Sequence, residues 1–373
     1  MKKLLMTGIC LLVVSAAYFT YTAVDPNAPS AIAKHEEMKT YSGTIYVAGM
    51  GGHFAEAVVE IDPANAKPIK VKALDRVVIG DKKTHPVHDA RIDAGNKDVM
   101  FWSTYQVDKA KGEALRIMHV GKSDLKTRNV ILDKEIKLDD KATFIGAVYC
   151  GSGQSAKFFI PVTMTDEAYI DVLDKATLEL KHRVFLPYKP TETKFYHGTN
   201  SPDMKTFFVA VNLATDGKPN GNIDLLLLDM AALEAGKVEI VKKGRVTGAP
   251  GKTLTFRQYF TPDGKYILQS AGDRFLLIDA KSLKLVEEEM LNEGQNHDAM
   301  ATPDSKYAIL TLREMVESAE GAEGKDITDG TLLLYDIEAR SVVGTTSSVC
   351  YGCHRNIGIH GNAVLCGMDA NWK

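Results

Sequence analysis

The sequence has little cysteine and almost no charge bias: five cysteines, and 45 Lys+Arg against 48 Asp+Glu, for a formal net charge of −3 over 373 residues. Five cysteines are too few for a disulfide-dense scaffold. A near-neutral balance excludes a nucleic-acid-binding chain, which carries a strong basic excess. Beyond the N-terminal segment no apolar run approaches the ~20 residues that cross a bilayer, so no membrane-spanning body is expected. The sequence also lacks a G-x-S-x-G nucleophile elbow and an H-E-x-x-H zinc helix. Thr247–Thr253 ends like a phosphate loop, but Val246 stands where the first glycine is required. It reads instead as a long loop between repeats that reaches towards a partner. What remains, 45% hydrophobic and 25% charged residues, is an ordinary globular composition with enough chain to bury a large core.

Lys2 and Lys3 precede the apolar run Leu4 to Val14, and Ser15, Ala16 and Ala17 follow. These are the parts of a secretory signal peptide. Tyr18, Phe19 and Tyr21 extend the apolar character towards Val24, so an N-terminal anchor is the alternative for residues 1–24. Either one exports the rest of the chain, into a compartment compatible with cysteine pairs or c-type haem. Residues 25–40 hold Pro26, Pro29 and mixed charge and read as a linker; the folded part is expected over 41–373.

From residue 41 onward the chain is a series of strand-length runs bounded by Gly, Asp, Asn and Pro, with almost no sustained helical period. Ala231–Ala235 and Met315–Gly321 are the expected helical turns, and Glu314–Asp329 reads as an exposed insertion. One motif is a strand ending in an apolar residue plus Asp: Ile61-Asp62, Leu173-Asp174, Leu228-Asp229, Ile278-Asp279 and Tyr335-Asp336. Val120-Gly121 fills the place of a further member, giving steps of 59, 53, 55, 50 and 57 residues. A second motif precedes a strand: Ser201-Pro202-Asp203-Met204-Lys205, Thr261-Pro262-Asp263-Gly264-Lys265 and Thr302-Pro303-Asp304-Ser305-Lys306. Proline presets the first turn angle and glycine tolerates positive φ, so this is tight-turn chemistry. Turn, strand, Asp and turn, repeated in one order, predict an all-β fold, a β-propeller of six or seven blades. The strand over Thr44–Ala48 is expected to join the C-terminal strands in one blade and close the ring.

Candidate site residues occur at one address, the start of each innermost strand: His88-Asp89-Ala90, Tyr196-His197-Gly198, Gln258-Tyr259-Phe260, His297-Asp298-Ala299, and His354 in the last unit. His88, His197 and His297 are metal-ligand candidates, which requires their nitrogens within ~2.1 Å of one ion. The alternative is that His and Asp stitch neighbouring blades by hydrogen bonds. Three cysteines lie in the last 24 residues, and Cys350-Tyr351-Gly352-Cys353-His354 is a C-x-x-C-H segment. Its two thiols suit the haem vinyl groups and its imidazole suits the iron, with His360 and Met368 as available sixth ligands. Only 19 residues follow His354, and no set of helices is present to wrap a haem. The other reading is a disulfide from Cys366 to Cys350 or Cys353, stapling the tail. Trp102 and Trp372 read as packing residues.

Three segments carry a family resemblance: Gly330-Thr331-Leu332-Leu333-Leu334-Tyr335-Asp336, Val349-Cys350-Tyr351-Gly352-Cys353-His354, and Leu365-Cys366-Gly367-Met368-Asp369-Ala370-Asn371-Trp372-Lys373. In these the chain resembles the β-subunit family of hydrazine synthase from anaerobic ammonium-oxidising bacteria. The resemblance implies seven blades, a place in a three-subunit complex that makes hydrazine from nitric oxide and ammonium, and haem c centres chiefly on the partner subunits. Export implies a periplasmic location or, by the resemblance, the anammoxosome. On this basis the chain is expected to be a scaffolding and docking subunit of a multihaem oxidoreductase complex, with no catalytic set of its own. The alternatives are a haem c electron carrier using Cys350, Cys353 and His354, or a propeller subunit like those of amine dehydrogenases.

Overall fold

Apolar strand-length runs separated by Asp, Gly and Pro turns fold here into six four-stranded antiparallel units. They are seen in a computed structural model that describes residues 39–373 except 50, 82–83, 109–112, 115, 143–146, 165–166, 168, 293, 314, 318–324, 328–330 and 350–366. Blade 1 is built, from its inner to its outer edge, of Met368–Trp372, Tyr41–Gly49, His53–Ile61 and Ile69–Val78. The C-terminal strand thus pairs with the first strand, Val47 opposite Met368 and Gly43 opposite Trp372, and closes the ring as expected. Blades 2 to 6 follow over residues 87–137, 147–185, 193–247, 258–290 and 295–348. Their inner strands are Val87–Asp93, Ala147–Gln154, Thr193–Asn200, Gln258–Phe260 and Gln295–Ala301. Blades 2 and 3 are joined into one sheet where Tyr105 and Gln106 pair with Val148 and Ala147.

Six apolar clusters hold these units together, one between each pair of neighbouring blades. Blades 1 and 2 share Phe54, Val77, Met100 and Trp102. Blades 2 and 3 share Phe101, Tyr149, Phe159 and Tyr169. The next three interfaces are centred on Val172 with Phe207, on Phe208 with Ile267, and on Phe275 with Tyr335. The last joins Ile309 and Leu334 of blade 6 to Ile45 and Val59 of blade 1. The chain is a six-bladed β-propeller among its described residues, the lower of the two expected counts. The seven blades implied by the resemblance are not met.

Stacking of blades explains why the strands read as continuous apolar runs and not as alternating ones. In Leu225-Leu226-Leu227-Leu228, Leu226 and Leu228 pack towards blade 3 while Leu225 and Leu227 pack towards blade 5. A strand side chain points to alternate faces, and here both faces are covered.

The turn motifs have one role throughout. Between third and outer strands an Asp carboxylate accepts backbone N–H groups two or three residues on: Asp62 from Ala64 at 3.0 Å, Asp174 from Ala176 and Thr177 at 2.9 Å, Asp229 from Ala232 at 2.7 Å. Asp279 accepts from Ser282 and Asp336 from Glu338 and Ala339. In blade 2 the Asp is Asp124, bonded to Lys126 and Thr127, and not the expected Val120-Gly121. Asp229 caps a single helical turn, Met230–Glu234. Met315–Glu317, expected to begin a helical turn, is instead a strand paired with Lys325–Ile327.

In the second motif Ser201, Thr261 and Thr302 bridge their own turns, accepting from Thr206, Tyr266 and Tyr307 at 3.0–3.1 Å. The fourth turn residue is left-handed each time: Met204 at φ 55°, Gly264 at 72° and Ser305 at 64°. Arg340 is left-handed as well, φ 55°, in an exposed outer turn. A Cβ on Gly264 would meet no neighbour within 4 Å, so its requirement is purely conformational. Gly264→Ala is expected to destabilise by about 1 kcal/mol and Arg340→Gly to stabilise by up to about 1 kcal/mol. Urea unfolding of the two variants checks both signs, and equal midpoints would contradict this account.

Candidate functional site

The inner strands place their polar residues on the propeller axis, where an arginine crosses from one side to the other. Arg257 immediately precedes the inner strand of blade 5 and reaches blade 2, directly opposite in a six-membered ring. Its Nε lies 3.2 Å from Asp89 Oδ1, and its Nη2 donates to the His88 carbonyl oxygen. The Arg257 and Asp89 side chains are 1% and 0% exposed. Its own N–H donates to the His297 carbonyl at 3.1 Å, which ties blade 5 to blade 6. A second arginine crosses in the reverse sense: Arg91 of blade 2 lies over the Tyr259 ring of blade 5, 4.2 Å from its centroid.

The remaining blades join through the same residues. His88 Nδ1 is 3.1 Å from the Tyr149 carbonyl of blade 3. His297 Nδ1 bonds Asp298 at 2.7 Å, and Asp298 accepts from the Gly367 and Met368 amides of blade 1 at 3.3 and 3.2 Å. Phe256 stands between two histidines, its ring centroid 4.5 Å from that of His297 and 6.0 Å from that of His197. The Ile92 amide donates to Asp369 at 2.7 Å. The axis is thus lined by charged and aromatic side chains from several blades that contact one another.

Protonation follows from this burial. Desolvation first, and the Arg257 charge second, push the His88 imidazole down to about 3, so it is neutral. His197 is held well below the usual range by the same two causes and by His297 and His88. Burial works to raise the Asp298 carboxyl, but the hydrogen bond and charge of His297 win and hold it below the usual carboxylate range. Asp369 goes the other way, raised by burial.

Of the residues expected to form a site, His88, His197 and His297 do gather on the axis: His88 bonds a blade 3 carbonyl, His297 bonds Asp298, and His197 packs on Phe256. The His/Asp donors that lie within 4.8 Å of one another among the described residues are a different set, His85, His119 and Asp133. Cys350, Cys353, His354, His360 and Cys366 lie outside the described residues, and Cys150 is on the inner strand Ala147–Gln154. Met368, considered as a haem ligand, is fully buried in the apolar cluster of blades 1 and 6. Trp102 is a packing residue, its Nε1 bonded to Ser123 at 3.0 Å. The Thr247–Thr253 loop does not reach outward: Gly248 donates to Gly221 and Gly251 to Pro219, and Thr253 bonds Asp273.

Arg257 and Arg91 were not singled out in the sequence; their signal is a charged residue at the inner-strand address where the other blades carry His or Asp. The chain re-enters this channel at Gly367, at φ 88°, where a Cβ would stand 2.8 Å from the Ala90 amide nitrogen. Gly367 is thus packed against Asp89, Ala90 and Asp298. A groove of about 920 Å³ lined by Tyr41, Ile61, Ile69 and Ser347 lies at the opposite end of blade 1. No helix among the described residues is long and apolar enough to cross a membrane.

No family model matches the chain, and no curated protein matches it. Two solved structures are similar over 88% of it, each with a TM-score of 0.49. One is a protein of unknown function from Bacteroides caccae, at 9% identity, of which 98% is covered. The other is TolB from Acinetobacter baumannii, at 12% identity, of which 66% is covered. Likenesses at this level carry no argument about function.

Removing the buried cation strands a buried carboxylate. Arg257→Met is expected to cost about 3–5 kcal/mol, and adding Asp89→Asn to recover part of it. Denaturant unfolding of the single and double variants checks this; strictly additive losses would show that the pair is not coupled. Acid sensitivity follows from the histidines. An unfolded chain takes up a proton on His88 below its ordinary value of 6.5, and the folded chain only near 3. Stability is therefore expected to fall as pH drops from about 6.5 towards 3, by about 1.4 kcal/mol per pH unit for each such histidine. Asp298 adds a further loss only below the ordinary carboxylate range. Thermal unfolding between pH 7 and 5 measures it, and a flat profile would rule the account out.

Proposed function

We propose that this chain is an exported, non-catalytic propeller subunit of a multihaem oxidoreductase complex of the hydrazine synthase kind, in which it positions haem-bearing partner subunits. The observation that carries the reading is the cross-axis contact between opposite blades, Arg257 with Asp89 and the His88 carbonyl and Arg91 with Tyr259, which builds the axis as a structural tie. In this propeller burial holds His88 and His197 below the ordinary imidazole range, and Arg257 is paired with Asp89 and Arg91 stacked on Tyr259, which suits rigidity and leaves the outer faces for docking.

The sequence resemblance supplies the partner class. In this reading Cys350, Cys353 and His354 either attach a haem c at an interface or, with Cys366, staple the tail at the channel mouth. A haem there would add an electron-transfer centre, with Cys350 and Cys353 joined to its vinyl carbons as thioethers and His354 available to its iron. Export, to the periplasm or the anammoxosome, comes from residues 1–24 and from the same resemblance.

Native purification tests the complex. The chain is expected to co-elute with haem-containing subunits at fixed stoichiometry, and elution as a haem-free monomer would refute the proposal. Intact-mass measurement of the denatured chain separates the two cysteine chemistries: haem adds its own mass, whereas each disulfide removes two hydrogens.

A further inference from the structure

Blade 2 carries a cluster that the channel does not use. His85 lies in the connection from blade 1, His119 on the third strand Ile117–Asp124, and Asp133 on the outer strand Val130–Lys137. Asp133 sits between the two imidazoles, Oδ2 2.8 Å from His85 Nε2 and Oδ1 2.9 Å from His119 Nδ1. The ring centroids are 4.4 Å apart, and the three side chains are 15%, 16% and 34% exposed. Donors and solvent access are therefore both present.

From these residues we propose a binding site for a divalent first-row transition ion, with an N2O donor set from His85 Nε2, His119 Nδ1 and the Asp133 carboxylate. Two imidazoles with one carboxylate suit Zn²⁺ and its neighbours, and leave open positions for water. They do not suit Ca²⁺ or Mg²⁺, which take all-oxygen sets. Ligands of a tetrahedral ion at ~2.0–2.1 Å stand roughly 3.3 Å apart. One ligand atom from each of the three residues already lies within 4.8 Å of the others, and the two N···O contacts open for the ion to enter.

The surroundings hold His85 in the orientation a ligand needs. Its Nδ1 is 2.9 Å from Thr84 Oγ1, which in turn is 3.4 Å from the Asp81 carbonyl. With Nδ1 protonated and donating to Thr84, Nε2 presents its lone pair to the ion, the outer-shell arrangement typical of metal-bound histidine. No proton need leave a neutral imidazole; it moves from Nε2 to Nδ1. The His85 amide donates to the Asp81 carbonyl at 2.7 Å, and the ring lies so close over Gly80 that a Cβ there would be 2.6 Å from its Cγ. The His119 amide is fixed by Thr104 Oγ1 at 2.9 Å. On the outer strand Glu135 stands directly opposite His119 in register, a further carboxylate beside the site.

Zinc titration by calorimetry on the full mature chain, with its thiols alkylated so that the cysteines cannot compete, tests the assignment. One equivalent of Zn²⁺ is expected, weakened at least about 100-fold in His119→Ala and in Asp133→Asn. Asp133→Asn keeps the size and hydrogen-bonding capacity of the side chain and so guards against loss by misfolding. Co²⁺ is expected to give visible ligand-field bands, and the His85 and His119 ring resonances are expected to move on zinc addition. Absence of stoichiometric binding, or equal affinity in the wild type and both variants, would overturn the proposal. So would Ca²⁺ displacing Zn²⁺ from these residues.

Discussion

The Arg257 guanidinium is the contact on which the ring depends. It sits with almost no exposure between blades 5 and 2, paired with Asp89 and with the His88 carbonyl, and its own amide holds blade 6. Taking a guanidinium and a carboxylate out of water costs several kcal/mol per ion, which is offset only when geometry and hydrogen bonds are good. That cost makes any other registration of the inner strands unfavourable, because a blade set one residue out would leave both charges buried and unpaired. The apolar interfaces are less exacting, since hydrophobic contacts tolerate small shifts. Stability here comes from the six apolar clusters, and alignment from the polar axis.

A radial gradient follows from the same division. Inner strands carry His, Asp, Arg and Gln, several of which contact one another across the axis. Central strands are apolar on both faces. Outer strands are edges, and their composition is that of edges kept from pairing with other chains. Lys242 and Lys243 follow exposed Ile240 and Val241, and Glu287, Glu288 and Glu289 separate exposed Leu285 from Met290. Cross-blade ion pairs continue this outward, as where Arg128 of blade 2 meets Glu56 and Asp75 of blade 1. Those contacts are exposed and add little energy.

How much of this was legible in the sequence depended on range. The Asp turns were legible because an Asx turn is made by one carboxylate and amides two or three residues away. Blade 2 was the exception. There Ser123 takes the place of the usual apolar residue before Asp124, because it is buried against the Trp102 indole nitrogen, so the nearby Val120-Gly121 looked the better match. The histidine address was legible for the same local reason, from its position before the strand. Arg257 and Asp89 are 168 residues apart, and nothing local marks them as partners. His85, His119 and Asp133 were hidden too, since they come from a connection and two different strands that meet only once blade 2 has formed. The blade count was settled by packing, which needs all six interfaces and not one repeat.

The buried axis also carries an energetic constraint. An ion or small molecule entering between Arg257 and Arg91 would disturb the Arg257–Asp89 pair and the Arg91–Tyr259 stack. Each hydrogen-bonded group stripped of its partner there costs about 1–3 kcal/mol, more if charged. Asp298 accepts the Gly367 and Met368 amides, and Gly367 is pressed against Ala90. Because Asp298 also holds His297, whose carbonyl receives the Arg257 amide, one run of contacts links the ring-closing strand of blade 1 to the axial cation, so blade closure and blade alignment depend on the same carboxylate.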